Sequence, residues 1–193
     1  MAKPETFKKV LAKYKIDKKI VNRINNSYEN ITNKSTKKKK AEYLFHAINE
    51  MDKLLENDIC QKILEECACT IGSGLEKKVR QFAVKNNGLS LNEKINKICE
   101  IKHLGNPILR KDGTILVNLG SINEANVYSC SCPQISGVDI EKPKTNTYCL
   151  CCGGHIKFQY EIALDKKLDV KIQSSPFESN GKKPCVFILK IIE

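Results

Sequence analysis

The stretch "PILRKDGTILVNL", residues 107–119, marks the point where the sequence changes from helical to extended character. Asp112-Gly113 is a typical tight hairpin turn, here joining Ile108-Leu109 to an apolar run at 115–117. Upstream of this stretch apolar residues recur about every 3.6 positions, whereas downstream they alternate. The sequence therefore predicts an α+β fold in which N-terminal helices pack on a small antiparallel sheet.

Working upstream, the periodicity predicts an amphipathic helix near residues 5–25, with Phe7, Val10, Leu11 and Tyr14 on one face. A polar linker follows, and a longer helical pattern begins at Ala41 and continues or restarts through residues 58–69. Two short helices are expected between residues 75 and 104. This pattern divides the chain into a basic helical arm and linker, residues 1–40, and a cysteine-rich α+β domain, residues 41–193.

Working downstream, "NVYSCSCP" (126–133) and the start of "TYCLCC" (147–152) are predicted to be extended. "LDVKIQS" (168–174) and "CVFILKII" (185–192) are stronger strand predictions because their residues are β-branched or alternate in polarity. Before these two strands, "HIKFQYEIAL" (155–164) is predicted to be one short helix inserted after Gly153-Gly154.

The net charge of +11 is concentrated at the start of the chain. Residues 1–40 hold 13 Lys or Arg against three acidic residues, and the remaining residues hold 20 against 19. We expect weak, salt-sensitive binding to polyanions through residues 1–40, without sequence-specific reading of nucleic acid. No stretch approaches the ~20 apolar residues of a membrane span, and no secretory signal is evident, so a cytoplasmic location is expected.

Ten cysteines are unusual for such a location, and six of them form C-x-C pairs: Cys67 and Cys69, Cys130 and Cys132, and Cys149 and Cys151. In a reducing compartment, clustered thiols favour metal binding or redox chemistry over disulfides. Residues i and i+2 of a strand share a face, so two neighbouring C-x-C strands would bring four thiolates together. We therefore predict a zinc site, with an iron–sulfur cluster as the alternative. Its expected ligands are Cys130, Cys132, Cys149 and Cys151, with Cys67, Cys69, Cys152, His155 and Cys185 in reserve.

Other residues are less informative. His155 fits a metal ligand and a polar residue at a helix start equally well, and His46 and His103 are interpreted as structural. Cys60 and Cys99 are expected to be small buried hydrophobes. No Ser/His/Asp set, carboxylate pair or phosphate-binding glycine loop can be assembled.

The last sixty or so residues resemble the 4-vinyl reductase domain family and its relatives. These include the nitric-oxide-signalling and Golgi-transport fold and proteins similar to L-2-amino-thiazoline-4-carboxylic acid hydrolase. The resemblance lies in "TYCLCCGGHIKF", "LDVKIQSS" and the Gly181-x3-Cys185-x-Phe187 ending, and "ILEECAC" and "YSCSCP" look like the cysteine pairs of an uncharacterised clostridial-type subgroup. It implies helices packed on an antiparallel sheet, a small hydrophobic ligand and cysteines that hold zinc.

The chain offers metal ligands but no convincing acid–base partners, so a metal-binding small-molecule or sensory domain, which could be a homodimer, is favoured over an enzyme. One alternative is a small metal-dependent hydrolase or reductase, with Glu161 or another carboxylate as the base. A second alternative is a thiol redox switch, with a reversible disulfide among Cys149, Cys151 and Cys152.

Overall fold

A computed structural model describes residues 3–68, 73–123, 126–130, 132–141 and 145–192. Within these ranges it confirms the α+β class, with seven α-helices and a four-stranded antiparallel sheet. The helices are α1 (Pro4–Lys13), α2 (Lys18–Asn25), α3 (Lys37–Leu54), α4 (Asn57–Glu66), α5 (Gly74–Lys85), α6 (Leu91–Ile98) and α7 (Leu150–Leu164). The strands are β1 (Asn106–Leu109), β2 (Ile115–Asn118), β3 (Ser121–Ile122), β4 (Tyr128–Ser129), β5 (Leu168–Ser174) and β6 (Val186–Ile191). Short 3-10 helices cover Lys102–Leu104 and Thr147–Cys149.

The predicted hairpin forms the edge of the main sheet, whose strand order is β1-β2-β6-β5. β1 pairs with β2 so that Pro107 lies opposite Val117, and Gly113 adopts φ +79° in the turn, a conformation that glycine tolerates without strain. The predicted strands 168–174 and 185–192 are confirmed as β5 and β6, which pair with each other.

The N-terminal helices pack directly on α3 and α4. Phe7 and Leu11 are buried, and the Phe7 ring meets Tyr43 edge-on with ring centroids 6.0 Å apart. The Lys8 ammonium donates to the carbonyls of Tyr28, Glu29 and Ile31 at 2.8–3.2 Å, which ties the polar segment after α2 back to α1. The predicted packing face of the first helix is therefore confirmed.

The buried residues form two clusters. The first lies among α1–α4 and the segment 132–151, and it contains Phe45, Tyr148, Phe177 and several cysteines. The second lies between the main sheet and helices α5, α6 and α7, and it is mostly aliphatic. Helix α7 contributes Leu150 and Cys151 to the first cluster, whereas Cys152 and the rest of its buried face pack in the second.

The inserted helix was predicted to start after Gly153-Gly154, but α7 begins at Leu150 and contains both glycines. A Cβ on Gly154 would lie 2.5 Å from Cα of Glu65, so this glycine serves the close crossing of α7 over α4 and does not end an element.

The prediction that Cys130 and Cys132, and Cys149 and Cys151, lie on strands is wrong. Cys149 closes a 3-10 helix and Cys151 lies in α7, while Cys130 follows the two-residue strand β4 and Cys132 precedes a turn at 133–137.

Candidate functional site: a buried thiol cluster

Three chain segments bring thiols together beneath α3. Cys132 lies just before the turn at 133–137, which is closed by donation from the backbone N–H groups of Ile135 and Ser136 to its carbonyl at 3.1 and 2.9 Å. Cys149 ends the 3-10 helix, and Cys152 lies in the first turn of α7. The third segment is the start of β6, where Cys185 is buried.

Tyr148 forms the wall of this cluster. Its buried ring packs edge-on against Phe45 and Phe177, with centroids 5.1 and 5.4 Å apart. Its hydroxyl oxygen lies 3.6 Å from Sγ of Cys132, within hydrogen-bond range for sulfur. The aromatic packing thus fixes a polar group against one particular thiol.

Cys132 and Cys152 influence each other's protonation. A hydrogen bond from Cys152 lowers the pKa of Cys132, and the Gln134 backbone N–H and the Tyr148 hydroxyl act in the same direction, against the opposing effect of burial. The same interaction, together with burial, raises the pKa of Cys152 well above its usual range. Of the two thiols, Cys132 is therefore the one that loses its proton more readily.

Further thiols surround this pair. Burial raises the pKa of Cys149, and the nearby Cys185 and Cys130 raise it further. Burial also raises the pKa of Cys185 to about 11, with a contribution from Cys132. These mutual effects indicate that Cys130 and Cys185 lie near Cys149, and that Cys149 and Cys185 lie near Cys132, so deprotonation of one thiol disfavours deprotonation of its neighbours.

Cys151 is turned the other way. Its Sγ donates to the backbone carbonyl of Cys67 at 3.5 Å, at the C-terminal end of α4. Burial, and then the proximity of Cys151, raise the pKa of Cys67. The side chain that contacts Cys132 is thus Cys152, which the sequence placed only in reserve.

His155 follows Cys152 by one helical turn, and its Nε2 lies 2.6 Å from Nε2 of Gln159. Burial and, to a smaller extent, the neighbouring His103 lower the pKa of His155 to about 4. The pKa of His103 is itself lowered by burial and by Lys78. Both imidazoles are therefore neutral at pH 7.

The remaining predicted residues lie elsewhere. Cys60 is buried as expected, with its Sγ 3.8 Å from the carbonyl of Met51. The prediction for Cys99 is wrong, because it lies exposed where α6 ends. Glu161 lies nine residues beyond Cys152 on α7, about 13.5 Å along the helix axis, and its Oε1 accepts from the backbone N–H of Leu168 at 3.1 Å. It is not placed to act as a base at the thiol cluster.

Sequence reasoning found the cysteine set but missed Tyr148 and the pairing of Cys132 with Cys152. The signal available was helical spacing, since Cys149 and Cys152 are three residues apart and share a face once residues 147–152 are helical. Cys69 lies outside the described residues. Among the His, Cys, Asp and Glu side chains of the described ranges, no three are grouped so that they could hold a metal ion as they stand.

These features define a cysteine-rich α+β protein whose thiols meet at the first turn of one helix. The chain belongs to the Family of unknown function (DUF6144), whose model matches residues 6–193. Comparisons with curated proteins and with solved structures give no significant match. The resemblance to 4-vinyl reductase-like families stays a prediction. In the part of the chain that the structure describes, no helix has the length and apolar character needed to cross a membrane.

Proposed function

We propose that Cys132 and Cys152 are the first two ligands of a thiolate-ligated metal site, with zinc as the preferred ion, in a small-molecule-binding or sensory domain. The proposal is supported by the proximity of the two thiols, whose interaction lowers the pKa of Cys132 and raises that of Cys152, and by the Tyr148 hydroxyl 3.6 Å from Sγ of Cys132. Two thiolates on one tetrahedral zinc, each at ~2.3 Å, lie about 3.8 Å apart, close to the separation of two hydrogen-bonded sulfurs. A zinc ion would displace the shared proton with little movement of either side chain.

The remaining ligands would come from the surrounding thiols Cys130, Cys149 and Cys185. Side-chain rotation at these positions is required, because the thiols are not yet grouped around one point. Cys132 keeps the Gln134 N–H and the Tyr148 hydroxyl as hydrogen-bond donors when the proton from Cys152 is lost. Such donors orient and stabilise metal-bound thiolates.

Elemental analysis of protein purified without oxygen tests the proposal. We expect about one equivalent of zinc per chain, and a Cys152→Ser variant should lose most of it because one of the two anchoring thiolates is gone. Cys99→Ser is the matched control, since this exposed thiol lies outside the cluster. Less than about a third of an equivalent of any transition metal in the wild-type protein would exclude the site. If the protein is brown and contains iron and acid-labile sulfide, the bound group is an iron–sulfur cluster and not zinc.

The same contact favours a second candidate, a thiol redox switch. The Cys132 thiolate would attack hydrogen peroxide to give a sulfenic acid and hydroxide, and the Cys152 thiol would then condense with it. Each peroxide consumed gives one disulfide, one molecule of water and one hydroxide ion, which takes up a proton from the solvent. The structure favours Cys132 as the partner of Cys152, in place of a disulfide confined to Cys149, Cys151 and Cys152.

Peptide mapping after mild peroxide treatment separates the two candidates. The redox switch predicts a Cys132–Cys152 disulfide that dithiothreitol reverses, and a Cys132 sulfenic acid that persists in Cys152→Ser. Zinc-loaded protein should resist this oxidation, because metal coordination occupies both sulfurs. Rapid disulfide formation in metal-free protein that never acquires metal would favour the switch. Weak polyanion binding through residues 1–40 and a homodimer stay predictions.

A further inference from the structure

A second candidate site lies at the opposite end of α7 from the thiols. A cavity of about 880 Å³ opens between α5, the start of α6 and the C-terminal half of α7, and residues 165–167 close one side. Its volume falls within the ~300–1,000 Å³ typical of small-molecule sites.

The cavity combines an apolar floor with a cationic rim. Phe158 and Ile162 of α7 are half-buried and, with Ala83 and Ala163, supply the floor. The rim carries four cations, Arg80, Lys94, Lys166 and Lys167, against two acids, Glu161 and Asp165. Glu161 is already engaged with the Leu168 backbone N–H, and Arg80 is paired with Glu76 at 2.7 Å.

Lys94 is the residue that points to a ligand. Its side chain lines the cavity although the residue is only 8% exposed. Within the described ranges no carboxylate lies within ion-pair distance of its ammonium, whereas five other ion pairs form in the same ranges. The apolar stem of Lys94 is buried, and its ammonium is one of four cations around a cavity that has only two acids, so an anion bound here would supply a counter-charge that Lys94 lacks in the described ranges.

We propose that this cavity binds a small organic anion with an apolar body, such as an amphipathic carboxylate. The anionic group would pair with Lys94, and the apolar body would lie on Phe158 and Ile162. The apolar floor argues against an inorganic anion such as phosphate, which would leave these side chains uncovered. The site does not depend on metal binding, because none of its residues belongs to the thiol cluster.

Fluorescence titration with two probes of matched shape tests the proposal. The anionic probe is 8-anilinonaphthalene-1-sulfonate, and N-phenyl-1-naphthylamine is its uncharged counterpart. We expect the anionic probe to saturate at about one per chain and Lys94→Met to weaken it at least about tenfold, as expected for loss of a buried charge pair. The dissociation constant of the uncharged probe should change by less than about twofold in Lys94→Met, because methionine keeps the apolar part of the side chain.

Lys97→Met is the matched control, because Lys97 lies on the same helix, is exposed and does not line the cavity. Ala83→Phe should weaken the binding of both probes, because the larger side chain fills the space above the apolar floor of the cavity. The melting temperature of Lys94→Met should stay close to that of the wild-type protein, since methionine keeps the buried apolar part of the side chain and Lys94 has no ion pair to lose in the described ranges.

Equal effects of Lys94→Met and Lys97→Met on the anionic probe would overturn the proposal, as would binding that never saturates. Each titration is run on metal-free and metal-loaded protein, so a failed metal site and a failed anion site give separate results.

Discussion

The two buried clusters of the molecule are built differently. In the first, Phe45, Tyr148 and Phe177 pack edge-on around cysteines, and α7 crosses α4 so closely that only glycine fits at position 154. In the second, aliphatic side chains such as Ile115, Leu168 and Leu189 fill the space between sheet and helices. Chemistry is concentrated where packing depends on rigid rings and close backbone contact.

Helix α7 makes this difference visible within one element. Its first turn contains Cys151, Cys152, Gly153 and Gly154, whereas its later turns bury Ile156, Tyr160 and Leu164. The small residues at the start of α7 allow α4 and the loop thiols to approach its backbone closely. The large residues of its later turns pack between the α7 backbone and the sheet and keep the two apart. The thiols lie where the two clusters meet, with Cys132 and Cys149 in the first and Cys152 and Cys185 in the second, so this contact should be sensitive to small changes in shape.

The largest effect is expected from deleting residues 1–36, which removes the cover of the first cluster. Four large buried side chains, Phe7, Val10, Leu11 and Ile24, would be lost. At about 1.5–3 kcal/mol each this approaches the whole stability of a typical domain. We expect the cooperative unfolding transition in urea to disappear.

The matched control for this deletion keeps the helices and removes only exposed charge. The double variant Lys9→Gln, Lys19→Gln should unfold at the wild-type urea concentration, because both lysines are exposed. A deletion variant that still unfolds cooperatively near the wild-type midpoint would mean that α1 and α2 are dispensable for the first cluster.

An intermediate effect is expected from Gly154→Ala, which places a Cβ 2.5 Å from Cα and 2.6 Å from the carbonyl oxygen of Glu65. Backbone atoms cannot rotate away, so α4 and α7 must separate, at a cost of about 3 kcal/mol in the free energy of unfolding. Gly153→Ala is the neighbouring control: its nearest atoms are side-chain carbons of Val170 and Phe187 at 3.6–3.8 Å. It should stabilise the protein by about 0.5 kcal/mol through helix propensity. Equal urea midpoints for the two variants would contradict the close crossing.

The smallest effect concerns Glu50, a buried acid of α3 that pairs with Lys53 and Arg23 at 2.6 and 2.5 Å. Hydrogen bonds from Lys53, and then from Arg23, lower its pKa in spite of burial. A depressed folded-state pKa contributes stability that is present above the unfolded value, about 4.3, and is lost as the pH falls through the folded value. Glu50→Gln should thus cost roughly 1 kcal/mol at pH 7 and less at lower pH.

Thermal unfolding at a series of pH values measures this difference. Glu42→Gln is the control, because Glu42 lies on the same helix and forms no ion pair in the described residues. Its melting temperature should change with pH in the same way as that of the wild-type protein. A Glu50→Gln deficit that stays constant from pH 7 to pH 3 would show that the ion pairs are not its cause.

The sequence by itself determined the local elements. Hydrophobic periodicity placed the face of α1, the Asp112-Gly113 turn placed the hairpin, and alternation placed β5 and β6, because these signals depend only on near neighbours in the chain. The density of cysteines likewise identified the thiols as the chemically informative residues.

Only the tertiary structure decided how the thiols pair. In isolation Gly153 and Gly154 predict that the helix starts after them, but in the fold both lie inside α7, which begins at Leu150, and Gly154 allows the helix to pass over Glu65. That one shift turns Cys151 towards Cys67 and Cys152 towards Cys132. A close crossing between two helices is a contact between distant parts of the chain, so no local pattern of residues encodes it.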